Sequence, residues 1–145
     1  MQTWDKIYIN IKELLSQKKR RAQSLWSIAH ILNNPSSEYI FWDLWRTEIH
    51  HAIGLNKLLQ SLGYSQIKLM EKNSIGIFDI GAEIEQIIAD KEKWLPILEK
   101  ISEETFGNEI HYTLLGILTD DLVSIEKLKD FLTKTSRHSE RCEES

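Results

Sequence analysis

The stretch Asn34-Pro35-Ser36-Ser37-Glu38-Tyr39-Ile40-Phe41-Trp42-Asp43-Leu44-Trp45-Arg46-Thr47-Glu48-Ile49-His50-His51-Ala52-Ile53-Gly54-Leu55 opens a helix that runs on to Leu62-Gly63. Asn34 is a capping residue and Pro35 fits a first helical turn, where no N–H is needed. Phe41, Leu44, Ala52, Leu55, Leu58, Leu59 and Leu62 then recur at helical spacing, and Gly63 is a natural stop. Two polar residues, Glu48 and His51, fall on that same apolar stripe. They stand one turn apart, so their side chains converge on one point. This combination of a capped start, a core-facing stripe and a polar pair inside it sets the reading of the whole chain.

Outward from this segment, three more stripes appear. Trp4 to Leu32 carries Ile7, Ile11, Leu14, Leu15, Ala22, Leu25 and Ala29. Asp79 to Glu104 carries Ile84, Ile87, Ile88, Leu95, Leu98 and Ile101, with Pro96 expected to kink or break it. A fourth begins near Gly107-Asn108 and runs through Ile110, Leu114, Ile117, Ile125, Leu128, Phe131 and Leu132. Period-two alternation is scarce, so the expected class is all-α. Short turns at Asn33-Asn34-Pro35 and Thr105-Phe106-Gly107 make helices one and two, and helices three and four, antiparallel hairpins. Residues 64–80 connect the hairpins. Extended, they reach on the order of 50 Å, whereas a helix of about 26 residues is roughly 39 Å long. That suffices for a crossover along the full bundle.

The chain has 145 residues, 18 Lys+Arg against 22 Asp+Glu, a formal net charge of −4, two Pro and one Cys. This length suits one domain that buries roughly 68–70% of its unfolded surface. The single Cys142 excludes a disulfide framework and any Cys-built zinc or iron–sulfur site. Mild acidity speaks against a nucleic-acid partner. No signal peptide is visible, and no apolar run approaches the ~18 residues of a membrane span, so a cytoplasmic protein without membrane contact is expected. The bundle is expected over 1–135. The segment 136–145 is too polar to order itself and is expected as a disordered tail, in which His138 and Cys142 could hold only adventitious metal.

A shift of 73 residues lays the first hairpin on the second: Ile11 on Ile84, Lys18 on Lys91, Leu25 on Leu98, Tyr39 on Tyr112, Glu48 on Asp121 and Leu55 on Leu128. One offset serving both helices and their turn implies a pseudo-two-fold axis. On the same stripes Lys18, Glu48, His51, Lys91, Asp121 and Ser124 fall at one level of the expected core. Buried charges cost several kcal/mol each, so this layer must be paired, hydrated or metal-bound.

Asn34-Pro35 through Leu59, with its Glu48-x-x-His51, resembles the second helix of ferritin-like proteins, especially rubrerythrin-type domains. The resemblance implies a ferritin-like four-helix bundle of two antiparallel hairpins joined by a long crossover. In that family a Glu-x-x-His on helices two and four, with a Glu from each of helices one and three, holds two iron or manganese ions. This chain departs from the pattern. Helix four offers Asp121-Leu-Val-Ser124, without the imidazole, and helices one and three offer Gln17-Lys18 and Asp90-Lys91.

Three readings follow. In the first, no cofactor is bound, and Lys18 and Lys91 neutralise Glu48 and Asp121 in a degenerate site without full ferroxidase activity. In the second, iron or manganese is held by Glu48, His51, Asp121 and Asp90, the last brought in by a one-residue change of register. In the third, the chain is a helical protein-interaction module. Lys18-Lys19-Arg20-Arg21 reads as a solvated basic face apart from Lys18. Trp42 and Trp45 cannot both point inward beside Phe41 and Leu44, so one is expected at an interface, and a homodimer is the expected partner.

Overall fold

A computed structural model describes residues 4–65, 76–77 and 79–144, with side chains as far as residue 135. Four helices follow in order: α1 (Trp4–Ile31), α2 (Pro35–Ser61), α3 (Ile80–Glu104) and α4 (Glu109–Glu144). Among the described residues there is no strand, and no helix is long and apolar enough to cross a membrane.

The helix starts are set by short polar side chains. Asn34 Oδ1 accepts from Ser36 N at 3.1 Å, with Pro35 at the first helical position. Asp79 Oδ1 accepts from Ala82 N at 3.1 Å, and Asn108 Oδ1 accepts from Ile110 N at 3.1 Å. Each satisfies a donor that a helix N-terminus leaves without an internal partner. Gly63 and Gly107 leave their turns at φ 91° and 84°, where a side chain would be strained.

Two apolar clusters show the topology. One joins Ile7, Ile11 and Leu14 of early α1, Leu55 and Leu58 of late α2, Leu98 and Ile101 of late α3, and Ile110 and Leu114 of early α4. The other joins Leu25 and Ile28, Phe41 and Leu44, Ile84 and Ile87, and Ile125 and Leu128. Helices α2 and α3 therefore run parallel, as do α1 and α4. α2 therefore ends at the pole opposite the start of α3. The contacts run α1–α2, α3–α4, α2–α4 and α1–α3, which leaves the parallel pairs on the diagonals. This is the crossover arrangement expected from the length of residues 64–80.

Three expectations change. Of a kink or a break at Pro96, the break is absent, and α3 continues through it. Its missing N–H and its ring both bear on the carbonyl of Glu92, and both residues lie on the exposed side, where that carbonyl is open to solvent. Neither Trp42 nor Trp45 is exposed. Both are half-buried in an aromatic cluster with Trp26, whose ring centroid lies 4.9 Å from Trp42 and 5.3 Å from Trp45. Arg21 is buried rather than solvated, for reasons that belong to the site. The division at residue 135 and the expected tail over 136–145 fall where side chains lie outside the described residues.

Candidate functional site

Between the two apolar clusters lies a layer of charge. Lys18 of α1, Glu48 of α2, Lys91 of α3 and Asp121 of α4 are each 5% exposed or less. Each sits on its helix's core stripe, so packing the apolar neighbours drives all four inward. Lys18 Nζ donates to Asp121 Oδ1 at 2.6 Å and Oδ2 at 2.8 Å, and to Glu48 Oε1 at 3.3 Å. Lys91 Nζ donates to Glu48 Oε1 and, at 2.9 Å, to Asp121 Oδ1. Each ammonium touches both carboxylates, and two positive charges meet two negative ones.

The protonation states follow from this geometry. Burial presses the Glu48 and Asp121 carboxyls upward, but Lys18 and Lys91 outweigh it and hold both below the ordinary carboxylate range. Burial presses Lys91 down, yet the two carboxylates raise it above its ordinary value. Burial is also the strongest influence on Lys18 and, reinforced by the Lys91 charge, draws the group below its usual value against the pull of Glu48 and Asp121. Two ionised carboxylates in this setting require two cations, so the quartet is a charged, neutralised set at neutral pH.

His51 lies beside the quartet. Its Nε2 is 2.8 Å from Asp120 Oδ2 and its Nδ1 is 3.8 Å from Asp121 Oδ1. Burial, followed by Lys18, lowers the imidazole below its ordinary value, so the ring is neutral. A neutral ring facing the Asp120 carboxylate carries its proton on Nε2, which leaves Nδ1 as a lone pair. That Nδ1 is buried without a hydrogen-bond partner, as is Glu48 Oε2. Ser124 is buried one turn after Asp121 but makes none of these ion-pair contacts.

Arg21, one turn after Lys18, bridges α1 to α3. Its Nη2 donates to Asp90 Oδ2 and its Nη1 to Glu83 Oε1 at 3.5 Å, while Ser24 Oγ donates to the same Glu83 oxygen at 2.7 Å. Asp90 is therefore held by Arg21, and by Gln86 Nε2 at 3.0 Å, outside the central quartet. A cavity of about 10 Å³, room for one water, lies where Gln17, Arg21, Asp90 and Trp94 border the quartet. Arg21, Glu83 and Asp120 are the site residues that the sequence reading missed. The signal for Arg21 was present, since 18, 21, 25 and 28 form one helical row. A run of four basic residues masks it.

In a dinuclear metal centre of such a bundle each helix supplies a carboxylate. Glu48, His51 and Asp121 bring one ligand atom each to within 4.8 Å of one another. Helices α1 and α3 bring ammonium groups to the same point, where such a centre needs carboxylates. Two cations beside Lys18 and Lys91 would repel them strongly in a low-dielectric core. The three possible ligands thus share their place with two ammonium groups.

No family model matches the chain, and no curated protein matches it. Among solved structures, it is similar to a dodecameric thioferritin, the bacterioferritin-related protein from Bacteroides fragilis. The TM-score is 0.61 at 17% identity, over 90% of each chain. The fold is ferritin-like. At this identity the likeness concerns the fold alone.

Proposed function

We propose that this chain is a ferritin-like bundle protein whose centre is a closed ion-pair layer without full ferroxidase activity, and which acts as a self-associating structural subunit. The observation that carries the reading is the pair of ammonium groups, Lys18 and Lys91, each donating to both Glu48 and Asp121. A ligand oxygen engaged this way is not free for a cation unless a lysine withdraws. The dodecameric state of the structural neighbour supports the self-associating part of the reading.

A second reading rests on a different observation. Glu48 Oε2 and His51 Nδ1 are buried acceptors without a hydrogen bond, Glu48 Oε2 having only an ion-pair contact of 3.3 Å with Lys18 Nζ, and both belong to the Glu48, His51 and Asp121 group. Buried acceptors left unmatched cost on the order of 1–3 kcal/mol each. One iron or manganese ion, not two, would satisfy them, with Lys18 or Lys91 displaced along its flexible stem.

Metal analysis of untagged protein purified without chelators, beside a ferrous-iron oxidation assay, separates the two. The first reading expects less than stoichiometric iron or manganese and no catalysed oxidation, with Lys91→Met gaining metal affinity. Stoichiometric metal that disappears in Glu48→Ala would overturn it in favour of the second.

A further inference from the structure

We propose that the outer face of the first hairpin, α1–α2, docks on the outer face of the second hairpin, α3–α4, of another copy of this chain. Copies would thus join head to tail through opposite charge. The two hairpins are equivalent under the 73-residue shift, yet their charges are not. Residues 4–62 hold eight basic and five acidic side chains, net +3, and residues 80–135 hold six and twelve, net −6. The reversal occurs at equivalent positions: Lys12 against Glu85, Lys19 against Glu92, and Lys57 against Asp130.

These side chains run along the outer seam of each hairpin. Lys12, Lys19 and Trp26 are spaced by seven residues, two helical turns, on one row of α1. Trp26 packs its ring on Trp42 and Trp45 of α2, which places that row along the α1–α2 seam. Glu85, Glu92 and Glu99 repeat the spacing on α3, and Glu92 Oε1 reaches Lys129 Nζ of α4 at 3.5 Å. The neighbour order puts the two seams on opposite sides of the bundle. Among the described residues Lys12, Lys19 and Lys57 make no ion pair.

Each face also presents apolar surface. The first has the half-buried Trp42 and Trp45 with Ile53, which is 38% exposed. The second has Leu115 and Leu122, 41% and 50% exposed. An apolar centre with a charged border is the anatomy of a protein interface. A two-fold pairing of like faces would set Lys against Lys or Glu against Glu. Pairing unlike faces aligns opposite signs. A contact between unlike faces is heterologous, so each copy keeps one face of each kind for a further neighbour, giving rings or open chains. This inference does not depend on whether the centre binds metal.

Sedimentation velocity of the full chain tests it, from about 0.01 to about 1 M salt, over which the screening length falls from about 30 Å to about 3 Å. The expected result is a mean mass above the monomer at low salt that grows with protein concentration and falls at high salt. Lys12→Glu with Lys19→Glu takes the first hairpin from +3 to −1, so both faces are acidic, and Glu85→Lys with Glu92→Lys, Glu99→Lys and Asp130→Lys takes the second from −6 to +2, so both are basic. Each of these variants alone should stay monomeric, and an equimolar mixture should associate again. A wild-type protein that is monomeric at low salt would overturn the proposal, as would an assembly indifferent to salt. So would folded variants, checked by circular dichroism, whose mixture stays monomeric. The wild-type salt series decides the matter even if a variant fails to fold.

Discussion

The first and second hairpins are built to one plan and differ at the positions that flank their shared charge. Lys18 and Glu48 correspond to Lys91 and Asp121, and the four meet near the bundle's centre, each lysine touching both acids. Beside them the plan diverges. Arg21 in α1 corresponds to Trp94 in α3, Asp90 corresponds to Gln17, and His51 corresponds to Ser124. Whatever holds the quartet is thus common to both halves, while the buried guanidinium and imidazole belong to the first hairpin alone. The shared part tracks stability. The divergent part carries the orphaned acceptor on His51 and the strap from Arg21 to Glu83 and Asp90.

The harshest way to break the comparison is to remove one lysine. Lys18→Met or Lys91→Met leaves two buried carboxylates with one cation. Loss of one partner from a buried pair costs about 3–5 kcal/mol. Urea denaturation should give a similar loss from either hairpin. Lys91→Met combined with Glu48→Gln restores neutrality and should cost clearly less than Lys91→Met alone. A double variant as damaged as the sum of its parts would mean that the two side chains do not interact.

Acid probes the same quartet from the carboxylate side. Glu48 and Asp121 titrate lower in the folded chain than in the unfolded one, so the unfolded state binds more protons as pH falls. Their contribution is complete above the ordinary carboxylate range and is lost progressively as pH drops through it towards their depressed values. His51, also depressed, adds a shallower loss that begins as pH falls below its ordinary 6.5. Stability measured against pH should therefore decline in two stages, and His51→Ser should remove only the upper one.

Much of this was legible in the sequence, and the reason is periodicity. Residues on the centre of a stripe, such as Leu25, Glu48, Leu55 and Asp121, have one environment available to them, and the 73-residue shift located both lysines. The crossover followed from reach against helix length. Residues at the edge of a stripe were harder to read. Arg21 lies where α1 meets α3, and a basic run looks solvated until the neighbouring helix supplies Glu83 and Asp90. Asp120 is outside the stripe of α4 and becomes visible only when α2 places His51 Nε2 at 2.8 Å. Trp42 and Trp45 looked like competitors for the core because Trp26, their cover, sits on a different helix. Each of these three concerns a contact between helices, which a pattern within one helix does not contain.

A smaller test removes what is special to the first hairpin at its α1–α3 seam. Arg21→Met deletes the pairs to Glu83 and Asp90, both partly exposed, and also deletes the buried Nε that has no partner. Hydrogen bonds to charged groups are worth about 1.5–3 kcal/mol. Solvent screening of the partners and relief of the orphaned Nε hold the expected loss near the lower end. Urea denaturation measures it, and a loss as large as that for Lys91→Met would mean that Arg21 belongs to the shared centre rather than to its edge.

The smallest expected effect is the most informative about the divergence. His51→Ser gives the first hairpin the residue that the second already has. It removes the bond from Nε2 to Asp120, a half-exposed carboxylate whose pairing in water is worth about 0–1 kcal/mol. It also removes a buried Nδ1 acceptor that has no donor. These changes oppose each other, so urea denaturation near neutral pH should find a shift within about 1 kcal/mol. A loss well beyond that would show that Nδ1 has a partner in solution, a water or a cation. Repeating the measurement with added iron or manganese then distinguishes them. A cation held by wild type and not by His51→Ser stabilises only the wild type, in proportion to its concentration over its dissociation constant. If neither protein responds, the imidazole is a tolerated irregularity beside a quartet that both hairpins build in the same way.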